Sequence, residues 1–228
     1  MHSDETPTDL RAVVLAGGHS RRFGEPNKAL AQAHGRSVVS RVTAAVRSVG
    51  DAPSLIAVQS ERQQARLDAA IDQPVEYVRD APDLTGPLAG LVAAARTAQT
   101  DRLAVVGCDM PLLVGGVLRW LARQSSTADA VLPVDSEGKG QPVHAIYRTD
   151  AITGCESSVG SMRAFVDDLD VYPVPVETTP ASVPLSRSLT NVNTQADLTA
   201  VRRRWQRLDC DRSRLGSGTV GTDTRSEG

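Results

Sequence analysis

The residues with the clearest chemical potential lie in short stretches that follow apolar runs. In Val13-Val14-Leu15-Ala16-Gly17-Gly18-His19-Ser20-Arg21-Arg22-Phe23-Gly24 a strand-like run leads straight into a glycine-rich, arginine-bearing loop that ends at Lys28. Glycines there let the backbone approach a ligand and turn several N–H groups toward phosphate oxygens. Two familiar phosphate signatures are excluded. No Lys-Ser/Thr pair follows Gly24, so the stretch is not a P-loop, and its glycines are adjacent, so it is not the GxGxxG of dinucleotide folds. The second stretch, Val105-Val106-Gly107-Cys108-Asp109-Met110-Pro111, sets a carboxylate just past a strand-like run. At the mouth of a parallel sheet Asp109 can hold Mg²⁺, which takes one or two carboxylates together with substrate phosphates and waters. The alternative role is to cap the next helix. Cys108 beside it reads as packing, because nothing nearby would depress its pKa.

Lysine usage sharpens the first signal. Of 25 basic residues only Lys28 and Lys139 are lysines, and both fall in glycine-flanked loops. A compact ammonium can follow a transferring phosphoryl group as a point charge, where a rigid guanidinium fork fits less readily. Genomic nucleotide bias would also produce an arginine-rich chain. A third loop, Val78-Arg79-Asp80-Ala81-Pro82-Asp83-Leu84-Thr85-Gly86-Pro87-Leu88-Ala89-Gly90, joins a strand to a helix and brings Asp80 and Gly86 to the same rim of the sheet. Two later segments, Gly140–Tyr147 and Leu189–Thr194, suit the other half of a cleft. Asn191 and Asn193 alternate along an extended segment and so face one side, where their amides can read a heteroaromatic ligand. A capping role for Asn193 at a helix start stands equally open. His19, His34 and His144 show no metal-ligand spacing.

Positioning these loops requires a layered fold. Short Val- and Ile-rich runs alternate with stretches of helical periodicity, the pattern of a parallel sheet covered by helices. Strands are predicted at Arg11–Ala16, Ser54–Val58, Val75–Val78, Leu103–Gly107, Ala130–Val134 and Val143–Tyr147, with a proline-containing edge strand at Val171–Val176. Helices are predicted over Arg36–Val49, Pro87–Gln99 and Leu113–Gln124, with Pro87 at a tolerated first-turn position. A last helix starts after Asn193, capped by Thr194, with Leu198, Val201, Trp205 and Leu208 as its apolar stripe. Its polar face carries Arg202, Arg203, Arg204 and Arg207, which reads as a solvated, dipole-complementing helix end.

Length and composition set the outer bounds. The 228 residues fit one domain with short extensions: a flexible N-terminus over 1–10, a single domain over 11–208, and a tail over 209–228 too poor in apolar residues to fold. A net charge of −2 gives no global field for nucleic acid or an anionic membrane, so neither is expected as a partner. Three cysteines, Cys108, Cys155 and Cys210, make neither a CxxC pair nor a disulfide framework, which suits a reducing compartment. With no signal-like start and no apolar run near the ~20 residues of a bilayer span, a cytoplasmic protein is expected.

Taken in order, Leu15-Ala16-Gly17-Gly18 with Ser20-Arg21-Arg22-Phe23-Gly24 and Lys28, then Gly86-Pro87-Leu88-Ala89-Gly90, Cys108-Asp109-Met110-Pro111, Gln141-Pro142-Val143-His144 and Asn191-Val192-Asn193-Thr194 resemble the molybdenum cofactor guanylyltransferases of the nucleotidyltransferase superfamily. The resemblance covers about residues 11–207. It implies a three-layer α/β/α, Rossmann-like nucleotidyltransferase fold with a mostly parallel sheet. The implied activity joins GMP from Mg-GTP to the phosphate of molybdopterin and releases pyrophosphate. By the same resemblance the nucleotide site maps onto Leu15, Ala16, Gly17, Lys28, Asp80 and Asp109, with Asp109 the Mg²⁺ ligand, and Gly18 and Gly86 stand beside them as binding candidates read from their loops. Lys28 and Arg22 would screen the triphosphate, and Gln141, Asn191 and Asn193 would serve the pterin side. Gln59 stands where the family often has an asparagine that contacts the nucleotide, and the Gly17-Gly18 pair resembles GTP-using rather than CTP-using members. Proteins that supply the cofactor, and molybdoenzymes that receive it, are the implied partners. Other readings are cytidylyl transfer to molybdopterin, guanylyl transfer to adenosylcobinamide phosphate, phospholactate or a sugar phosphate, and a non-catalytic GTP-binding protein of the same fold.

Overall fold

Runs such as Leu10-Arg11-Ala12-Val13-Val14-Leu15 form strands because β-branched side chains suit a pleated surface and because neighbours cover both of its faces. The computed structural model describes residues 9–17, 28–33, 35–154 and 160–216. In chain order these form β1 (Leu10–Leu15), a 3-10 turn (Lys28–Leu30), β2 (Gln32–Ala33), β3 (Arg36–Ser37), α1 (Val38–Val46), β4 (Ser54–Val58), α2 (Glu61–Asp68), β5 (Val75–Arg79) and α3 (Pro87–Thr97). There follow β6 (Arg102–Gly107), α4 (Gly115–Ala122), β7 (Ala130–Val134), β8 (His144–Arg148), α5 (Thr149–Thr153), α6 (Met162–Asp167), β9 (Val171–Pro175), α7 (Leu185–Ser188) and α8 (Gln195–Gly216).

Seven strands make one sheet in the order β5-β4-β1-β6-β8-β7-β9, and β2 and β3 form a small antiparallel ribbon apart from it. Only β8 runs against its neighbours β6 and β7; the other pairs are parallel. Alternate residues of each strand enter opposite cores. Val14, Ile56 and Val106 pack with α1, α4 and α8, while Val13, Leu55 and Val105 pack with α3, α5 and α6. The architecture is therefore three-layered α/β/α, with β9 as the expected proline-bearing edge. Among the described residues no helix is long and apolar enough to cross a membrane.

The topology places the functional rim. From β1 the chain moves outward through β4 to β5, then returns to the other side of β1 as β6. At such a switch point the loops leaving two adjacent parallel strands diverge, and a crevice opens at their C-terminal ends. The loops that follow β5, β4, β1 and β6 carry Asp80, Gln59, Gly17 and Asp109 in that spatial order.

Several boundaries differ from the sequence reading. Arg36 and Ser37 belong to the ribbon, pairing with Ala33 and Gln32, so the first helix begins at Val38, where the Ser37 hydroxyl accepts from Ser40 N–H at 3.1 Å. The expected Leu113–Gln124 helix is shorter, with Val114 as its N-cap and Arg123 as its C-cap. The last helix runs on to Gly216, so residues 209–216, assigned by composition to the tail, are helical. It is held to the body by Leu198, Val201 and Trp205, by the Arg41 guanidinium stacked 3.5 Å over the Trp205 ring, and by Arg202, which donates to the Gln32 carbonyl at 2.6 and 3.0 Å. The helix N-terminus is a reciprocal cap. Thr194 Oγ1 accepts from Asp197 N–H at 3.1 Å, and the Asp197 carboxylate accepts from the N–H groups of Asn193 and Thr194.

Candidate nucleotide site

Backbone groups fix the four strand ends before any side chain acts. Leu15 stands opposite Ala57 on one side and Gly107 on the other, and Val58 stands opposite Arg79. Just past them, Ala16 N–H donates to Ala57 O at 3.0 Å, Cys108 N–H to Leu15 O at 3.1 Å, and Asp80 N–H to Val58 O at 3.0 Å. The sheet ladder thus continues one residue into each loop and brings the loops edge to edge.

On the β6 side, Lys28 crosses the mouth of the sheet. Its Nζ lies 2.5 Å from Asp109 Oδ2 although 81 residues separate the two in sequence, and each side chain keeps 18% of its surface exposed. Asn193 Oδ1 lies 3.4 Å from the same ammonium. Val192 N–H donates to Asp109 O at 2.8 Å, so the main chain of Asp109 anchors the asparagine segment while its side chain faces the lysine. Asn193 joins the cleft with its side chain, since the capping hydroxyl at this helix start comes from Thr194. A Cβ on Gly107 would fall 2.6 Å from Asp109 Oδ1, so the absent side chain is what lets this carboxylate fold back over its own strand. Cys108 is buried, and burial together with the Asp109 charge pushes its thiol up to about 12, which rules it out as a nucleophile.

Around β1, β4 and β5 the packing is equally close. A Cβ on Gly17 would lie 2.4 Å from Asp80 Oδ2 and 3.4 Å from Gln59 Cγ, so a side chain there would push the Asp80 carboxylate from its place. Asp80 Oδ1 is buried without a hydrogen-bond partner and lies 3.2 Å from the position a Cβ of Gly90 would take. Burial raises the Asp80 carboxyl above its ordinary value, with the Arg79 charge opposing. Gly86 serves the backbone instead. It caps α3 with φ 67°, a left-handed conformation that favours glycine, and a Cβ there would meet nothing within 4 Å.

Sequence reasoning missed Gln63. It lies on α2, whose single buried residue, Leu67, leaves no apolar stripe to betray a helix. The available signal was Ser60 followed three residues later by glutamine, the N-terminal signature of a helix; Gln63 N–H does donate to Ser60 Oγ at 3.2 Å. The Gln63 amide itself bridges two loops. Nε2 donates to Ala16 O at 2.6 Å, and Oε1 accepts from Gln59 N–H at 2.8 Å.

Of the remaining candidates, Gln141 donates its backbone N–H to Pro133 O at 2.9 Å and starts the turn into β8. Asn191 holds a buried Oδ1 without a hydrogen-bond partner. Gly18 and Arg22 lie outside the described residues, as do His19 and His34. His144 is fully buried, with Nε2 3.5 Å from Ser188 Oγ. Among the described residues no group of three or more His, Cys, Asp or Glu could hold a metal ion. Asp109, a carboxylate at the sheet mouth with 18% of its side chain exposed, fits Mg²⁺, which keeps waters and shares its ligands with a nucleotide.

Comparison with known proteins agrees with this geometry. Residues 12–171 match the family model of the MobA-like NTP transferase domain. A probable molybdenum cofactor guanylyltransferase from Pelotomaculum thermopropionicum is 32% identical over 199 residues, covering 83% of this chain and 90% of that protein. The molybdenum cofactor guanylyltransferase of Shewanella piezotolerans is 33% identical over 164 residues, covering 69% of this chain and 72% of its own. The fold is similar to that of molybdopterin-guanine dinucleotide biosynthesis protein A from Archaeoglobus fulgidus, with a TM-score of 0.72 at 22% identity over 86% of this chain and 99% of the other. A family model that takes in β1 with its loop, the Lys28 turn, Asp80 and Asp109, together with relatives that align over most of both chains, shows that this protein belongs to the MobA-like NTP transferase family and is a nucleotidyltransferase.

Proposed function

We propose that this protein transfers GMP from Mg-GTP to the terminal phosphate of molybdopterin and releases pyrophosphate. The observation that carries the proposal is the meeting of the Lys28 ammonium and the Asp109 carboxylate at the sheet mouth, next to the Gly17 loop. Simple nucleotide binding does not require such a pair.

The acceptor is a phosphate monoester, anionic near neutral pH. One of its oxygens attacks the α-phosphorus, a new P–O bond forms, and the bond to the bridging oxygen of the β-phosphate breaks with its electrons leaving on pyrophosphate. No protein base is needed, so catalysis reduces to in-line positioning and charge neutralisation. When bound at Asp109, Mg²⁺ supplies charge stabilisation at the reacting and leaving oxygens. Lys28 holds the phosphate end of the nucleotide, with Arg22 as its expected second cation. The backbone about Gly17 and Gly18 cradles the phosphates, since glycines let the main chain approach a ligand. Asp80 is assigned to guanine, whose adjacent N1–H and 2-amino donors suit a carboxylate with its Oδ1 free of a protein partner. Gln141, Asn191 and Asn193 are assigned to the pterin, and partners that deliver or receive the cofactor follow from the same reading.

The test is incubation with Mg²⁺, radiolabelled GTP or CTP, and each acceptor in turn: molybdopterin, adenosylcobinamide phosphate, phospholactate and a sugar phosphate. Label should pass from GTP to molybdopterin. Transfer only to a sugar phosphate would defeat the proposal. Lys28→Ala and Asp109→Ala should each abolish turnover in a folded protein, and wild-type turnover in both would remove the catalytic assignment.

A further inference from the structure

We infer that Gln63 is a positioning residue for the base end of the nucleotide: its single side-chain amide ties the loop after β1 to the loop after β4 and so fixes how Gly17 packs against Gln59 and Asp80. This rests on the nucleotidyl-transfer reading above and deepens it.

The strand order separates the two ends of the site. The Lys28–Asp109 pair sits past β6, whereas Gln59 and Asp80 sit past β4 and β5, on the other side of β1. At about 4.8 Å per strand, three spacings put roughly 14 Å between the β5 and β6 ends, the scale of a nucleotide lying across the rim. Phosphates belong with the cation and the metal-binding carboxylate, which leaves the β4–β5 side for ribose and base.

Gln63 acts only on that second half. Ala16 is 3% exposed, so its carbonyl needs a protein partner, and Gln63 Nε2 provides it at 2.6 Å. The other end of the same amide takes the N–H of Gln59 at 2.8 Å. With Ala16 N–H already given to Ala57 and Leu15 O to Cys108, Gly17 is the first residue of the loop whose backbone these ladder bonds leave for a ligand. Its placement against Asp80 and Gln59 follows from the clamp. An amide is required, since one partner needs a donor and the other an acceptor.

The test uses the full chain as wild type, Gln63→Leu and Gln63→Glu, with Mg-GTP, Mg-CTP and, as a probe of the phosphate end alone, Mg-pyrophosphate as inhibitor. For Gln63→Leu the KM for GTP should rise about tenfold, the loss of one to two net hydrogen bonds, while kcat stays within about twofold. Preference for GTP over CTP should narrow, and the pyrophosphate inhibition constant should not move. Gln63→Glu keeps the acceptor but points an anion at a carbonyl. Its KM should rise at least as far at about pH 8, and the gap to wild type should close toward pH 5 as the introduced carboxyl protonates. An unchanged KM, or a parallel weakening of pyrophosphate that marks general damage to the site, overturns the inference; should the leucine variant fail to fold, the pH-dependent gap of the glutamate variant decides. If the wild type prefers another triphosphate, the guanine reading falls while the same split, measured on that nucleotide, still judges Gln63. A wild type that binds no triphosphate ends both.

Discussion

His144 gives the fold a sensitivity to acid that can be calculated. Its side chain is fully buried in β8, opposite Val106 of β6, with Nδ1 unpartnered and only Ser188 Oγ, 3.5 Å away, near Nε2. Burial alone lowers its pKa from 6.5 to about 3, so the ring is neutral in the folded protein. The sign follows from linkage. Because the folded value is depressed, the stability contributed by the neutral ring is complete above pH 6.5 and is lost as pH falls from 6.5 toward 3, where the unfolded chain takes up a proton that the native chain refuses. The loss is about 1.4 kcal/mol per pH unit in that window, or roughly 3 kcal/mol by pH 4.5. Set against a typical domain stability of about 5–15 kcal/mol, that is a large share. His144→Leu, of similar volume and without a titrating group, should remove this slope. Urea midpoints would be measured for both proteins from pH 8 to 4.5. Carboxylates that titrate at the acid end are common to the two and cancel in the difference. Wild type should lose stability relative to the variant progressively below pH 6.5; curves that stay parallel throughout would refute the assignment of a neutral, desolvated ring.

Three further outcomes are expected. Gly17→Ala and Gly107→Ala, whose added methyls meet Asp80 Oδ2 and Asp109 Oδ1 at 2.4 and 2.6 Å, should displace those carboxylates and abolish the rise in melting temperature given by Mg-GTP, as thermal shift will show. Asp80→Asn removes a desolvated charge whose folded pKa is raised; it should stabilise the protein at neutral pH, with the gain vanishing as pH falls below the ordinary carboxyl range, while GTP affinity drops in calorimetry. Trp205→Ala, which empties the contact beneath Arg41, should destabilise by about 3–5 kcal/mol in chemical denaturation.

What the sequence made legible divides along physical lines. Ser54–Val58 and Ala130–Val134 are read to the residue because a strand covered on both faces is a continuous apolar run with polar or turn residues at its ends. The rim residues Gly17, Asp80 and Asp109 were accessible because a parallel sheet sends the loops after its strands to one edge. The Lys28–Asp109 contact was not readable from spacing, since no local rule links residues 81 apart; only shared chemistry suggested it. Elements whose stability comes from polar bonds were hidden. α2 buries Leu67 alone, and the β2–β3 ribbon is two residues per strand, so neither leaves a period to detect. The helical continuation from 209 to 216 ran against composition, because propagation from an anchored helix asks little of each added residue.

The bond from Val192 to the Asp109 carbonyl bears on where this enzyme can be cut. The matched family segment ends at residue 171, yet Val192, whose N–H donates to the Asp109 carbonyl, lies well beyond it, between α7 and α8. A truncated version ending at the family boundary would lose nearly all of β9 along with the brace behind Asp109. The minimal working unit therefore reaches past that boundary and into the closing helix.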